Sequence, residues 1–247
     1  MGLPGEISNW IRRKVEEAGA RGVVVGLSGG LDSSVVAVLC KRALPEETLG
    51  LIMPCFSTPE DLEHARLVAE RFQIPTRTID LGPFFEGLVE RLKETIGEGE
   101  DIIAIANIKP RLRMIALYYF SNTLNYLVVG TGNKSEVSMG YFTKYGDGGV
   151  DILPLGDLFK SQVRELAREL QIPEEIISKV PSAGLWEGQT DEGEMGITYE
   201  DLDRVLKGME EGDLRGLDED TVKKVKDKVS ASAHKRQPPS VFKVLGI

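Results

Sequence analysis

Residues 23–44 constrain the fold more tightly than any other stretch of the chain. A β-branched run, Val23-Val24-Val25, leads into Ser28-Gly29-Gly30-Leu31-Asp32-Ser33. An apolar stretch of helical character follows over Asp32–Leu44 and stops at Pro45. A buried strand that turns within a few residues into a helix belongs to α/β architecture. The adjacent glycines permit a sharp turn and bring backbone N–H groups close to a bound anion. The helix behind them aims its N-terminal partial positive charge at the same point. Ser28 and Ser33 add hydroxyls, and Asp32 adds a carboxylate suited to Mg²⁺ on phosphates. The loop lacks the lysine of the Gly-x-x-x-x-Gly-Lys-Ser/Thr pattern, which sets it apart from the common kinase and GTPase loop. A strand–Gly-Gly–helix junction alone is also an ordinary tight turn.

The alternation continues along the chain. Spacing predicts helices over Ser8–Ala18, Thr58–Phe72, Phe84–Thr95, Asn107–Asn122, Asp157–Leu170, Tyr199–Glu210 and Asp218–Ala231, with a short one after Pro173. Strands are expected at Val23–Leu27, Leu49–Met53, Thr76–Leu81 and Tyr126–Gly130. Thr58-Pro59-Glu60-Asp61 is a helix start, with Thr58 as N-cap, Pro59 at the first position and acids in the first turn. Pro110 fits a helix only within its first turn. The implied fold is α/β: a doubly wound, Rossmann-like parallel sheet flanked by helices on both faces. One domain spans residues 1–247, with the core sheet over 22–183 and a small helical extension over 184–247. Such sheets bind ligands beyond the carboxyl ends of their strands, where the chain reverses direction. The Ser28–Ser33 loop and the Thr131–Glu136 loop both leave such ends and can face one cleft.

A net charge of −9 argues against nucleic acid as a partner, which calls for a basic footprint. No apolar run approaches the roughly 20 residues that cross a bilayer, and Met1-Gly2-Leu3-Pro4-Gly5 shows no secretory pattern. The expected location is cytoplasmic, without a membrane partner. Cys40 and Cys55 lie in apolar segments without metal or redox spacing and read as buried thiols.

Gly130-Thr131-Gly132-Asn133-Lys134-Ser135-Glu136 supplies what ATP chemistry still lacks: a hydroxyl, a cation and a second carboxylate. Asp32 and Glu136 together suit a Mg²⁺ that bridges phosphate oxygens. Ser28–Ser33 resembles the loop of the ATP pyrophosphatases, which split ATP between its α and β phosphates. In order, Ser28–Ser33, Asn107–Arg111, Gly130–Glu136, Tyr141–Asp151 and Pro181–Thr190 resemble the motifs of the ammonia-using NAD⁺ synthetases across nearly the entire chain.

That resemblance implies a ligase that forms an amide. ATP lies against Gly26, Leu27, Ser28, Gly29, Gly30, Leu31, Asp32 and Ser33, with further contacts from Thr131, Lys160 and Ser182. Asp32 and Glu136 hold the magnesium. Arg111, Lys144, Asp151, His234 and Lys235 hold deamido-NAD. The nicotinate carboxylate attacks the α-phosphorus, and ammonia then displaces AMP. Asp32 and Lys160 serve the pyrophosphate transfer, and Asp151 is a candidate acceptor for the proton of ammonia. The implied assembly is a homodimer, with the apolar helix stretch Met114–Phe120 as a possible interface that core burial explains equally well. Glutamine-using relatives carry an extra amidotransferase domain with a nucleophilic cysteine, and neither Cys40 nor Cys55 has that setting. Two glycine-rich charged segments, Gly140–Gly149 and Glu187–Gly196, are candidate lids, and Ser230–Pro239 reads as an exposed loop. Two other classes stay open: an ATP pyrophosphatase acting on another acid or on tRNA, and a non-catalytic adenine-nucleotide sensor.

Overall fold

The computed structural model describes residues 2–96, 101–186 and 188–243. Four strands form one sheet: β1 (Gly22–Gly26), β2 (Thr48–Ile52), β3 (Thr76–Thr78) and β4 (Tyr126–Val129). All pair in parallel, in the order β3-β2-β1-β4. In register, Val24 stands between Leu49 of β2 and Val128 of β4. A central parallel strand is covered on both faces, which explains why β1 is apolar without alternation. Val23 and Val25 enter one core and Val24 the other.

The first core lies under α1 (Leu3–Glu17), α2 (Leu31–Ala43), α3 (Pro59–Arg71), α8 (Lys160–Glu169) and α9 (Glu174–Ile177). Ile11, Leu39 and Leu166 are buried there, and each such side chain contributes about 1.5–3 kcal/mol. The second core lies under α4 (Gly82–Ile96) and α6 (Ile108–Leu124), with α5 (Ile102–Ala106) leading into α6. Cys40 and Cys55 are fully buried, one in each core. A third cluster joins α7 (Lys134–Met139), α10 (Asp191–Met195), α11 (Tyr199–Glu211) and α12 (Glu219–Ala231) through Met139, Met195, Tyr199, Leu202 and Val225.

Chain order places the candidate cleft. From β1 the chain moves outward through β2 to β3. It then crosses the other face in α4, α5 and α6 and returns beside β1 as β4. The two loops at the carboxyl ends of β1 and β4 therefore diverge from a common point, where open α/β sheets bind ligands.

Several predicted boundaries shift. α1 begins at Leu3, because Pro4 fits the first turn and does not exclude the helix. β3 ends at Thr78, although Ile79 and Leu81 still donate to Ile52 O and Pro54 O. α5, capped by the Asp101 carboxylate, was not expected before α6. Pro110 does fall in the first turn of α6. The stretch read as a loop after β4 is helical from Lys134, because Asn133 and Glu136 form a reciprocal capping box. The segment Ser230–Pro239 is not simply an exposed loop. α12 runs to Ala231, a 3₁₀ turn covers Ala233–Lys235, and Arg236 donates to Val137 O, Ser138 O and Val229 O.

Candidate active site at the sheet's switch point

The loop after β1 is built tightly. Gly29 has φ +82°, and a Cβ there would stand 2.1 Å from the Asp61 carbonyl oxygen. Only glycine meets both the left-handed backbone and that approach. Asp61 is itself fixed in the α3 capping box with Thr58, and its carboxylate accepts from Lys179 Nζ at 2.8 Å. Ser33 Oγ donates to Gly30 O and accepts from Ser28 N–H, and the Ser28 and Ser33 hydroxyls lie 2.9 Å apart. The two serines thus hold the turn of the cradle. Gly30 caps α2 without a side-chain acceptor, which leaves first-turn N–H groups of this 13-residue helix for an anion.

Asp32 projects from that first turn toward the β4 loop. Asn133 Nδ2 donates to Asp32 Oδ1 at 2.9 Å. Lys160, 2 % exposed at the first position of α8, pairs through Nζ with Asp32 Oδ2 and, at 3.2 Å, with Glu136 Oε1. Residues remote in sequence thus meet at one ammonium. Tyr199 adds a hydroxyl from α11, 3.2 Å from Glu136 Oε1 and 2.9 Å from Asp191 Oδ2. Its ring lies 5.0 Å from Lys160 Nζ.

The charge balance is acidic. Burial pushes Glu136 up to about 7; Lys160 opposes this, while Asp32 and Asp191 reinforce it. Burial works to lower the Lys160 pKa, but the two carboxylates outweigh it and the group is held firmly protonated. Burial also raises Asp191, whose Oδ1 is buried without a hydrogen-bond partner.

A second group of residues lies on the first turn of α6, the loop after α7 and the chain's last turns. Arg111 donates to Lys144 O at 3.4 Å, and Lys144 Nζ donates to His234 O at 2.6 Å. These three share one exposed edge. Lys235 is oriented differently: its Nζ donates to Gly140 O and Phe142 O, so its ammonium anchors the Gly140–Gly149 segment. Asp151 accepts from Val128 N–H at 2.7 Å and from Tyr118 OH at 3.0 Å. No hydrogen bond links it to the Asp32–Lys160–Glu136 group. Ser182 is exposed and caps Gly184 N–H; its neighbour Pro181 accepts from Asp191 N–H, which brings this stretch beside the carboxylates. Thr131 is half-buried at the end of β4. Of the two lid candidates, the second holds α10, and its Glu187 lies outside the described residues.

The NAD synthase family model matches residues 4–239. The chain belongs to the NAD synthase family. An NH(3)-dependent NAD(+) synthetase of Carboxydothermus hydrogenoformans is 53% identical over 237 residues, covering 96% of this chain and 95% of that relative. The structure of an NMN synthetase from Francisella tularensis superposes with a TM-score of 0.90 at 37% identity, over 98% of each chain. An NH3-dependent NAD synthetase from Campylobacter jejuni gives 0.84 at 32% identity, again over 98% of each.

Around the Asp32–Lys160–Glu136 cluster, three residues had no functional signal of their own in sequence: Asn133, Asp191 and Tyr199. The Asn133–Glu136 spacing of a capping box was the one available clue. A resident magnesium fits the donor set. Asp32 and Glu136 are hard oxygen ligands that already converge on one cation, and Mg²⁺ takes one or two carboxylates plus phosphates and water. Among the described residues no group of three or more His, Cys, Asp or Glu is arranged to hold a metal, so a metal here depends on ligand oxygens.

Glu136 also makes stability depend on pH. Its pKa is raised from an ordinary 4.5, so the folded state binds this proton more tightly than the unfolded chain. Its contribution is full below the unfolded pKa and is lost as pH rises through about 7. Glu136→Gln should therefore flatten the fall in unfolding free energy between about pH 5 and about pH 8. Chemical denaturation across that range checks it; parallel slopes for the two proteins would contradict the assignment.

Proposed function

We propose that this cleft makes NAD⁺ from deamido-NAD, ATP and ammonia. The observation that carries the reading is the buried Lys160 ammonium shared by Asp32 and Glu136 beside the Ser28–Ser33 cradle. A carboxylate is a poor acyl donor to an amine until one oxygen becomes part of a leaving group. The nicotinate carboxylate oxygen attacks the α-phosphorus of ATP, the bond from that phosphorus to the bridging oxygen breaks, and pyrophosphate leaves. The N–H groups of Gly29 and of Leu31, Asp32 and Ser33 at the α2 N-terminus receive the departing charge, while those of Leu27, Ser28 and Gly30 hold the turn itself. Lys160 neutralises it at a fixed point, and Thr131 and Ser182 complete the ATP contacts. Asp32 and Glu136 would hold a Mg²⁺ bound with ATP, and that ion would supply further charge neutralisation of the phosphates. Ammonia nitrogen then bonds to the acyl carbon, the carbon–oxygen bond to AMP breaks, and a proton leaves the nitrogen. Asp151, positioned by Tyr118 and Val128 N–H, is the group we assign to accept it. Arg111, Lys144 and His234 form the dinucleotide edge, with Arg111 and Lys144 as the cations for its phosphates, and Lys235 holds the Gly140–Gly149 segment beside that edge.

Ammonia is the nitrogen source because Cys40 and Cys55 are both fully buried and neither can attack glutamine. Among the described residues no helix is long and apolar enough to cross a membrane, and a cytoplasmic site of action fits the use of ATP. A homodimer is supported by an apolar face on α5 and α6, where Ile102, Ile103, Ile115 and Tyr119 are 65%, 62%, 59% and 67% exposed. Light scattering on the purified enzyme should return twice the chain mass. The likeness to the Francisella tularensis NMN synthetase favours one second reading, amidation of nicotinate mononucleotide by the same chemistry.

The deciding assay supplies ATP, Mg²⁺ and ammonium with either deamido-NAD or nicotinate mononucleotide. With deamido-NAD, AMP and NAD⁺ should appear in equal amounts, and glutamine alone should give neither. Lys160→Gln should lower kcat by about 100-fold or more. Full activity in that variant, or a clear preference for the mononucleotide, would overturn the respective assignments.

A further inference from the structure

Asp203 lies in α11, well outside the loops that carry the nucleotide site, yet it is 8 % exposed. Its carboxylate spans two helix starts. Oδ1 accepts from Ser135 Oγ, and Oδ2 accepts from Ser161 N–H at 3.0 Å and from Ser161 Oγ at 2.8 Å. Ser135 Oγ in turn accepts from Lys160 N–H at 3.0 Å. Ser135 immediately precedes Glu136 in the first turn of α7, and Ser161 immediately follows Lys160 in the first turn of α8. One carboxylate therefore ties down the backbone next to both members of the ion pair. Two helix N-termini converging on one acidic group are electrostatically complementary to it.

The rest of α11 reinforces this geometry. Tyr199, one helical turn before Asp203 and on the same face, donates its hydroxyl at the far side of the pair. The backbone ends and the side-chain ends of Lys160 and Glu136 are thus both referenced to one helix. Leu202 and Leu206 bury that helix against its neighbours, so the reference is rigid.

We propose that Asp203 is a positioning residue that sets the separation of Lys160 and Glu136 for pyrophosphate departure. It touches no substrate and acts through its hold on the two helix starts. The proposal rests on the role given above to Lys160. A misplacement of the order of 1 Å in a catalytic group costs about 100-fold in rate. An interaction that matters only during the chemical step lowers kcat without raising KM.

The test is a double-mutant cycle of Asp203→Asn and Lys160→Gln on the full chain. It is read as AMP formation in single turnover with enzyme in excess, with kcat and KM for ATP and deamido-NAD measured where turnover allows. Asp203→Asn keeps one acceptor oxygen and the side-chain volume. Ser161→Ala, which removes only the hydroxyl donor, covers the case in which Asp203→Asn fails to fold. Asp203→Asn should lower kcat by about tenfold to 100-fold, with KM within about twofold, and Ser161→Ala by a smaller factor in the same direction. In the Lys160→Gln background the Asp203→Asn loss should largely vanish, because its target is gone. Equal losses in both backgrounds, or a loss confined to KM, would overturn the proposal and leave Asp203 a stabilising residue. Full activity in Lys160→Gln alone would instead remove the reading on which it rests.

Discussion

The site depends on one buried ammonium. Lys160 Nζ meets Asp32 from α2 and Glu136 from α7 while standing at the start of α8. Each favourable contact is worth about 4 kcal/mol at 4 Å in an effective dielectric of 20, against a desolvation cost of several kcal/mol per ion. The cluster is therefore close to break-even as a source of stability. Its value is geometric, because three elements must arrive together for it to form. The acidic excess, with Asp191 also buried nearby, prepares the site for further positive charge.

Topology is what lets those elements meet. With the order β3-β2-β1-β4, the carboxyl ends of β1 and β4 are neighbours although a long stretch of chain separates them. The β1 loop provides the cradle, and the β4 loop provides Asn133 and Glu136. The C-terminal helices then close the side of the site that the sheet leaves open, through Tyr199, Asp191 and Asp203. In this arrangement the C-terminal third helps to build the surroundings of the Asp32–Lys160–Glu136 cluster.

The sheet and the cradle were legible because their signals are local. Val23–Val25 is apolar without alternation, Gly29 stands where no Cβ fits, and Thr58–Asp61 carries its capping pattern in four consecutive residues. The pairing of Asp32 with Glu136 followed from the ends of two strands. Three things were less readable. α5 is five residues long and capped by a lone aspartate, too short to show a period. The start of α7 was hidden inside a polar run, where Asn133 serves at once as cap and as donor to Asp32. Lys235 is assigned to deamido-NAD only through its place in a family motif, and its ammonium lies on the Gly140 and Phe142 carbonyls, partners that only the fold reveals. Asp203 and Tyr199 sit on an amphipathic helix and look like ordinary members of its polar and apolar positions, since their partners come from other parts of the chain.

The most direct measurement is a crystal structure of the enzyme with Mg²⁺ and α,β-methylene-ATP, which cannot be split at the reacting bond. The β and γ phosphates should lie on the Ser28–Ser33 backbone, with Lys160 Nζ turned from Asp32 and Glu136 onto their oxygens and both carboxylates facing the metal. A triphosphate bound elsewhere, or one bound here with Lys160 still locked between its two carboxylates, would contradict the account.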